Sequence, residues 1–171
     1  MMLVDTYVGN AEDDPAVEMR LAEEEVQTVT VDEAQRQRSR FKTTADDGTE
    51  VGVVVPFSGS LRGGDVFEGE SGLVRVELAP RGALVIDLGA LDPSHEAMLA
   101  CVRWAHAIGN RHRSLTTRGC TVVVPVEDDA DAERLRGTVE EHLPAADVHR
   151  DEVDPGVFDD DVADHSHGGG D

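Results

Sequence analysis

The sequence predicts an α+β protein. It has a small N-terminal all-β domain, a ferredoxin-like β-α-β-β-α-β domain and a disordered acidic tail that carries histidines. Three observations lead there. Residues 1 to about 78 hold short β-type runs broken by turn residues. From Ala83 the pattern changes, and strand-type runs alternate with two stretches of helical spacing. From Asp154 the chain is acidic, Gly-rich and almost without apolar residues.

In the first half, Leu3 and Val4 open a β-type stretch, and V-Q-T-V-T-V at Val26 to Val31 reads as another. Between them Glu12 to Pro15 is a polar break and Glu23 to Glu25 an exposed bend. A-D-D-G-T-E at 45–50 reads as a hairpin turn leading into a strand from Val51 to Phe57, whose end Pro56 places at an edge. L-R-G-G-D-V-F at 61–67 contains another tight turn. In Leu73 to Ala79, Val74, Val76 and Leu78 alternate with Arg75 and Glu77, the pattern of a half-buried strand. Pro80 to Gly82 makes a hinge. The domains are therefore set at 1–78 and 79–153, with the tail at 154–171.

In the second half, Ala83 to Leu88 is a strand. Asp92 or Ser94 caps a helix running to about Ile108, with Pro93 in its first turn. Met98, Val102, Ala105 and Ile108 recur at helical spacing, Leu99 widens the stripe, and His106 borders this apolar face. Gly109 and Asn110 are the stop signal, since both tolerate the left-handed backbone that a helix end often needs. Arg113 to Arg118 and Cys120 to Val126 form a strand pair around Gly119. Asp129 to Leu143 is a second helix, with Leu135, Val139 and Leu143 four apart, and Pro144 ends it. Val148 to Val153 closes the sheet, and disorder is expected after about Phe158.

The chain has 171 residues and a net charge of −21, from 36 acidic against 15 basic residues. The acidic residues run through the folded segments, as on proteins from a salt-saturated cytoplasm, which points to a halophilic source. Such a charge repels itself at low salt and repels naked nucleic acid, so no nucleic-acid partner is expected. No apolar run approaches the roughly 18 residues of a spanning helix, so no membrane role is expected. The start M-M-L-V-D-T-Y-V-G-N lacks the features of a signal peptide, which predicts a cytoplasmic protein. Cys101 and Cys120 are too few for a disulfide framework or a zinc finger.

No G-x-S-x-G elbow, H-E-x-x-H helix or phosphate-binding G-x-x-x-x-G-K loop occurs. The histidines are the better lead. His106 sits in the last turn of the first long helix and His112 just beyond it, while His165 and His167 stand in the tail. Imidazole nitrogen suits nickel, copper and zinc. Taken alone, His106 or His112 is equally well explained as a buried core histidine. One His112 is a poor site, whereas two across the two-fold axis of a homodimer make a better one, because an isologous interface brings equivalent residues together. His106, His165 and His167 could supplement that pair. D-E-A-Q-R-Q-R-S-R at 32–40 is the densest basic cluster. Its Arg36, Arg38 and Arg40 fit a solvated face, an internal salt-bridge set or a receiver of acidic peptide.

G-N-R-H at 109–112, after a helix ending with His106, resembles the signature of the UreE urease accessory proteins, which are nickel metallochaperones. R-Q-R-S-R at 36–40, then T-A-D-D-G-T-E-V-G, then L-R-G-G-D-V-F resemble that family's N-terminal domain, and the histidine-bearing tail is also similar. The likeness covers residues 1 to about 150. It implies an N-terminal β domain for partner or peptide binding and a ferredoxin-like domain for dimerisation. It implies that His112 is the shared interfacial Ni2+ ligand, with His106 matching a nearby histidine. It implies a non-enzymatic chain that delivers nickel for assembly of the urease active site. The implied partners are a urease accessory GTPase, other urease accessory proteins and apo-urease; Zn2+ or Cu2+ are expected to bind in vitro. One departure is visible: the stretch from Val124 reads V-P-V-E-D-D, so Asp128 stands where some relatives carry a histidine. The alternative is a peptide- or protein-binding adaptor without a physiological metal, using Arg36, Arg38 and Arg40; metal-dependent catalysis is a weaker third option.

Overall fold

The computed structural model describes residues 1–159. His165 and His167, with the rest of 160–171, lie outside the described residues. Contacts divide the chain into two units, Met1–Ala79 and Pro80 onward. Among the described residues no helix is long and apolar enough to cross a membrane.

The N-terminal unit is built on a six-stranded sheet. Its elements are β1 (Met2–Asn10), α1 (Pro15–Glu23), β2 (Val26–Val31), α2 (Glu33–Arg36), β3 (Arg40–Thr44), β4 (Glu50–Val54), β5 (Asp65–Gly69) and β6 (Gly72–Leu78). The strand order is β2-β6-β5-β1-β4-β3, with β1–β4 and β2–β6 parallel. Alternating residues of these strands supply one core face, where Val4, Val29, Val51, Phe67, Val74 and Val76 are buried. On the other face α1 lays Val17 against Val66 and Leu73.

Helix α1 corrects the all-β expectation. The side chain of Asp14 accepts the Ala16 N–H at 2.9 Å, and Pro15 occupies the first turn. The polar break at Glu12 to Pro15 is therefore a helix start. The helix buries one side chain fully, Val17, and leaves Met19 64 % exposed, so it shows little apolar periodicity. Sequence reading also missed β3, the first arm of the hairpin whose turn contains Gly48 at φ 88°.

The L-R-G-G-D-V-F turn is tied to β1 through a buried carboxylate. Asp65 accepts from the Asn10 amide at 2.9 Å, the Tyr7 hydroxyl at 3.1 Å and the Arg62 N–H at 2.7 Å. Burial first, and the Asp65 charge second, push the Tyr7 phenol up to about 12. Gly64 has φ 86°, and a Cβ there would stand 3.0 Å from Asn10 Oδ1, so this turn needs glycine.

The second unit contains β7 (Arg81–Asp87), α3 (His95–Gly109), β8 (Thr116–Arg118), β9 (Thr121–Pro125), α4 (Asp129–His142) and β10 (Asp147–Val153). The strand order is β10-β7-β9-β8, with every neighbouring pair antiparallel. Both helices cover one face: Leu84, Ile86, Val122 and Val124 pack with Trp104, Ile108, Leu135, Val139 and Leu143. The molecule is thus α+β, a sheet-based unit followed by a mixed α/β unit.

The opposite face of this second sheet is also covered. A 3₁₀ turn at Pro155–Phe158 puts Phe158 against Ala83 and Val123, with the Arg81 guanidinium 5.8 Å from the ring centroid. Residues 154–158 were expected in the flexible tail and are instead packed on the sheet. Three apolar or ring-bearing residues, Pro155, Val157 and Phe158, suffice to anchor them.

Candidate metal centre

Helix α3 starts at Ser94, whose hydroxyl accepts the Ala97 N–H at 3.1 Å. Ser94 is the cap, so Pro93 stands before it and outside the first turn expected for it. Trp104 and Ile108 are the fully buried residues of α3, and the Trp104 indole N–H donates to the Thr138 hydroxyl of α4 at 3.1 Å. Of the apolar stripe read from the sequence, Ile108 is buried and much of the rest is turned outward. Met98, Leu99 and Val102 are 58 %, 52 % and 60 % exposed. His95 and His106 are exposed too, and helical spacing sets 95, 98, 99, 102 and 106 along one side. His106 therefore borders an exposed apolar face.

The end of α3 does not use the residues best suited to a left-handed backbone. Asn110 stays right-handed at φ −61° and ψ −19°, and its N–H donates to the His106 carbonyl at 3.0 Å. The left-handed residue is His112, at φ 56°, the one non-glycine with positive φ among the described residues. A Cβ in that region costs about 1–2 kcal/mol, although histidine adopts it more often than most side chains do. The His112 N–H donates to the Gly109 carbonyl at 2.9 Å and the Arg113 N–H to the Ile108 carbonyl at 3.3 Å. The chain thus folds back over the helix end and leaves the His112 side chain exposed.

Arg113 fixes that turn to the body of the unit. Its guanidinium donates to both carboxylate oxygens of Asp131 on α4, one bond at 3.0 Å, and to the Pro125 carbonyl at 3.4 Å. Asp131 is 3 % exposed, and the Arg113 hydrogen bond, opposed by burial, holds its carboxyl down at about 2. Asp128 is the cap of α4, and its side chain accepts the Asp131 N–H at 2.7 Å. His106 is also engaged: the Asn110 side-chain amide nitrogen lies 3.0 Å from its Nε2. Nothing in the sequence pointed to the Arg113–Asp131 clamp; the spacing of His106 and Asn110, four apart in a helix, could have revealed the second contact.

Among the described residues no group of three or more His, Cys, Asp or Glu is placed to hold a metal ion. One chain thus presents His112 and His106 near a helix end without closing a site around either. Cys101 and Cys120 are free and line a separate groove beside the start of α3, with His95 and Met98. His142 donates from Nδ1 to the Thr138 carbonyl at 2.9 Å. In the basic cluster, Arg36 is 3 % exposed, and its Nε donates to the Leu61 carbonyl at 3.0 Å while NH1 pairs with Glu33. Arg36 is therefore an internal support for α2 and not an exposed partner contact, whereas Arg38 and Arg40 are exposed.

Residues 4–79 match the family model described as UreE urease accessory protein, N-terminal domain. Over 178 aligned residues the chain is 36 % identical to the urease accessory protein UreE of Natronomonas pharaonis, covering 98 % of this chain and 81 % of that protein. The chain belongs to the UreE family. It is 30 % identical to the UreE of Yersinia intermedia over 74 % of this chain and 58 % of that protein. Against the UreE of Ralstonia nicotianae it is 40 % identical over 58 % of this chain and 39 % of that protein. As a member of that family the chain is a non-catalytic accessory protein.

Proposed function

We propose that this UreE-family chain is a nickel metallochaperone that works as a homodimer and supplies nickel for assembly of the urease active site. The observation that carries this reading is the state of His112. It is an exposed imidazole in a left-handed backbone, in a turn clamped by Arg113, and among the described residues too few donors stand beside it to hold an ion. A second copy supplies what is lacking. The exposed Met98, Leu99 and Val102 on α3 form an apolar face for an isologous contact, and the two-fold axis then pairs His112 with its equivalent. Sharing the ion between two subunits leaves coordination positions open, which suits cargo that must be released. His106 is a further donor, and His165 and His167 are proposed as exchanging ligands from the tail.

The second unit is read as ferredoxin-like on the strength of its β-α-β-β-α-β order, its strand order and its two helices on one face. The N-terminal unit is proposed to engage an accessory GTPase, other urease accessory proteins or apo-urease, with Arg38 and Arg40 as contacts. The setting is proposed to be cytoplasmic and, from the charge of −21, salt-rich. The test is nickel titration by calorimetry with molar mass measured alongside. One tight nickel ion per dimer, weakened at least tenfold by His112→Ala, is the expected result. Unchanged affinity in that variant contradicts the proposal.

A further inference from the structure

We infer that Asn110 is a latch on His106, holding the imidazole nitrogen through which His106 would join the metal ion. The inference rests on the nickel reading above and concerns the order in which ligands enter that site.

Asn110 Nδ2 lies 3.0 Å from His106 Nε2. An amide NH₂ only donates, so Nε2 accepts and the ring proton sits on Nδ1. Neither ring nitrogen then offers a lone pair: one accepts from Asn110 and the other carries hydrogen. Metal ligation needs a neutral imidazole with a free lone pair. His106 can therefore bind an ion only after the Asn110 contact breaks.

The backbone keeps the latch in place. Asn110 is four residues after His106, caps the helix with a right-handed backbone, and its N–H donates to the His106 carbonyl at 3.0 Å. Side chains at that spacing meet on one helix face. Both residues are exposed, so water competes for the contact and it can exchange without unfolding the helix. His112 bears no such restraint: among the described residues its imidazole makes no hydrogen bond.

The consequence is an order of events. His112 takes the ion first, and His106 enters only when the ion is close enough to displace the amide. Asn110 thus limits how firmly nickel is held, which favours release to a partner.

The decisive variant is Asn110→Ala. Alanine suits the right-handed backbone at this position and is a better helix former, so the fold is kept. In the metal-free dimer, nitrogen NMR of the imidazoles should show His106 protonated on Nδ1 in the natural chain, with the tautomer ratio shifted in the variant. Calorimetry should then show nickel bound at least threefold more tightly by Asn110→Ala, and transfer to a chelator slowed by a similar factor. Both changes should vanish when His106→Ala is added. An unshifted tautomer, or nickel affinity and transfer unchanged by Asn110→Ala, overturns the latch while His112→Ala still abolishes tight binding. If His112→Ala leaves nickel binding intact, the metal reading itself fails, and the latch fails with it.

Discussion

Replacing His112 by glycine and, separately, by alanine should separate what this residue costs the fold from what it does for the metal. At φ 56° any side chain with a Cβ is strained. Both variants remove the imidazole, and they differ only in that Cβ. Relief of the left-handed strain favours glycine by about 1–2 kcal/mol. The greater freedom of glycine in the unfolded chain opposes this by about 0.4–1 kcal/mol. The net expectation is that His112→Gly is more stable than His112→Ala by about 1 kcal/mol. In an ordinary helical position the sign is reversed, because glycine is there about 1 kcal/mol worse than alanine. Urea unfolding of the metal-free variants, at equal protein concentration and fixed salt, reads the difference. Both should lose tight nickel binding, so stability and binding move apart. Alanine as stable as glycine, or more so, would refute the claim that His112 is held in a strained turn.

The Arg113–Asp131 clamp makes a pH-dependent contribution. Asp131 lies at about 2 in the folded chain against an ordinary 3.8, so it stabilises the fold fully above pH 4 and loses that effect as pH falls toward 2. Asp131→Asn should cost about 2 kcal/mol near neutrality and converge with the natural chain at about pH 2, as read by urea unfolding across pH. Leu99→Glu, on the exposed face of α3, should leave the far-ultraviolet circular dichroism spectrum unchanged and weaken dimerisation at least about tenfold in sedimentation equilibrium. Ending the chain after Val153 removes the buried Phe158 and should cost about 1.5–3 kcal/mol of stability, as read by urea unfolding.

The legible parts of the fold were those where a local signal and tertiary packing agree. Ser94, one of two caps the sequence offered, the four-residue spacing of Leu135, Val139 and Leu143, and the alternation through Val74 and Val76 all carried over into the structure. Helix α1 was hidden because a nine-residue helix that buries only Val17 shows almost no period. The apolar stripe of α3 was legible as a stripe but not in its direction. Two apolar faces share that helix, one with Trp104 and Ile108 and one with Met98, Leu99 and Val102, and periodicity cannot say which face meets its own chain.

At the site, residue types pointed to His112 but not to its backbone. Gly109 and Asn110 are better suited to a left-handed turn, yet the turn places that strain on the histidine. For Arg36 the sequence left a solvated face, an internal salt-bridge partner and a peptide contact open; the contact that makes it internal, with the Leu61 carbonyl, lies 25 residues away in sequence, beyond any local pattern.

The central claim is that one nickel ion is shared by two copies of His112. Mixing natural subunits with His112→Ala subunits tests it most directly, with subunit exchange carried to equilibrium and nickel counted on each dimer by native mass spectrometry. If both imidazoles are required, only dimers of two natural subunits hold the tight ion, and occupancy falls as the square of the natural fraction. Occupancy that falls linearly with that fraction, with mixed dimers carrying tight nickel, would contradict a shared site.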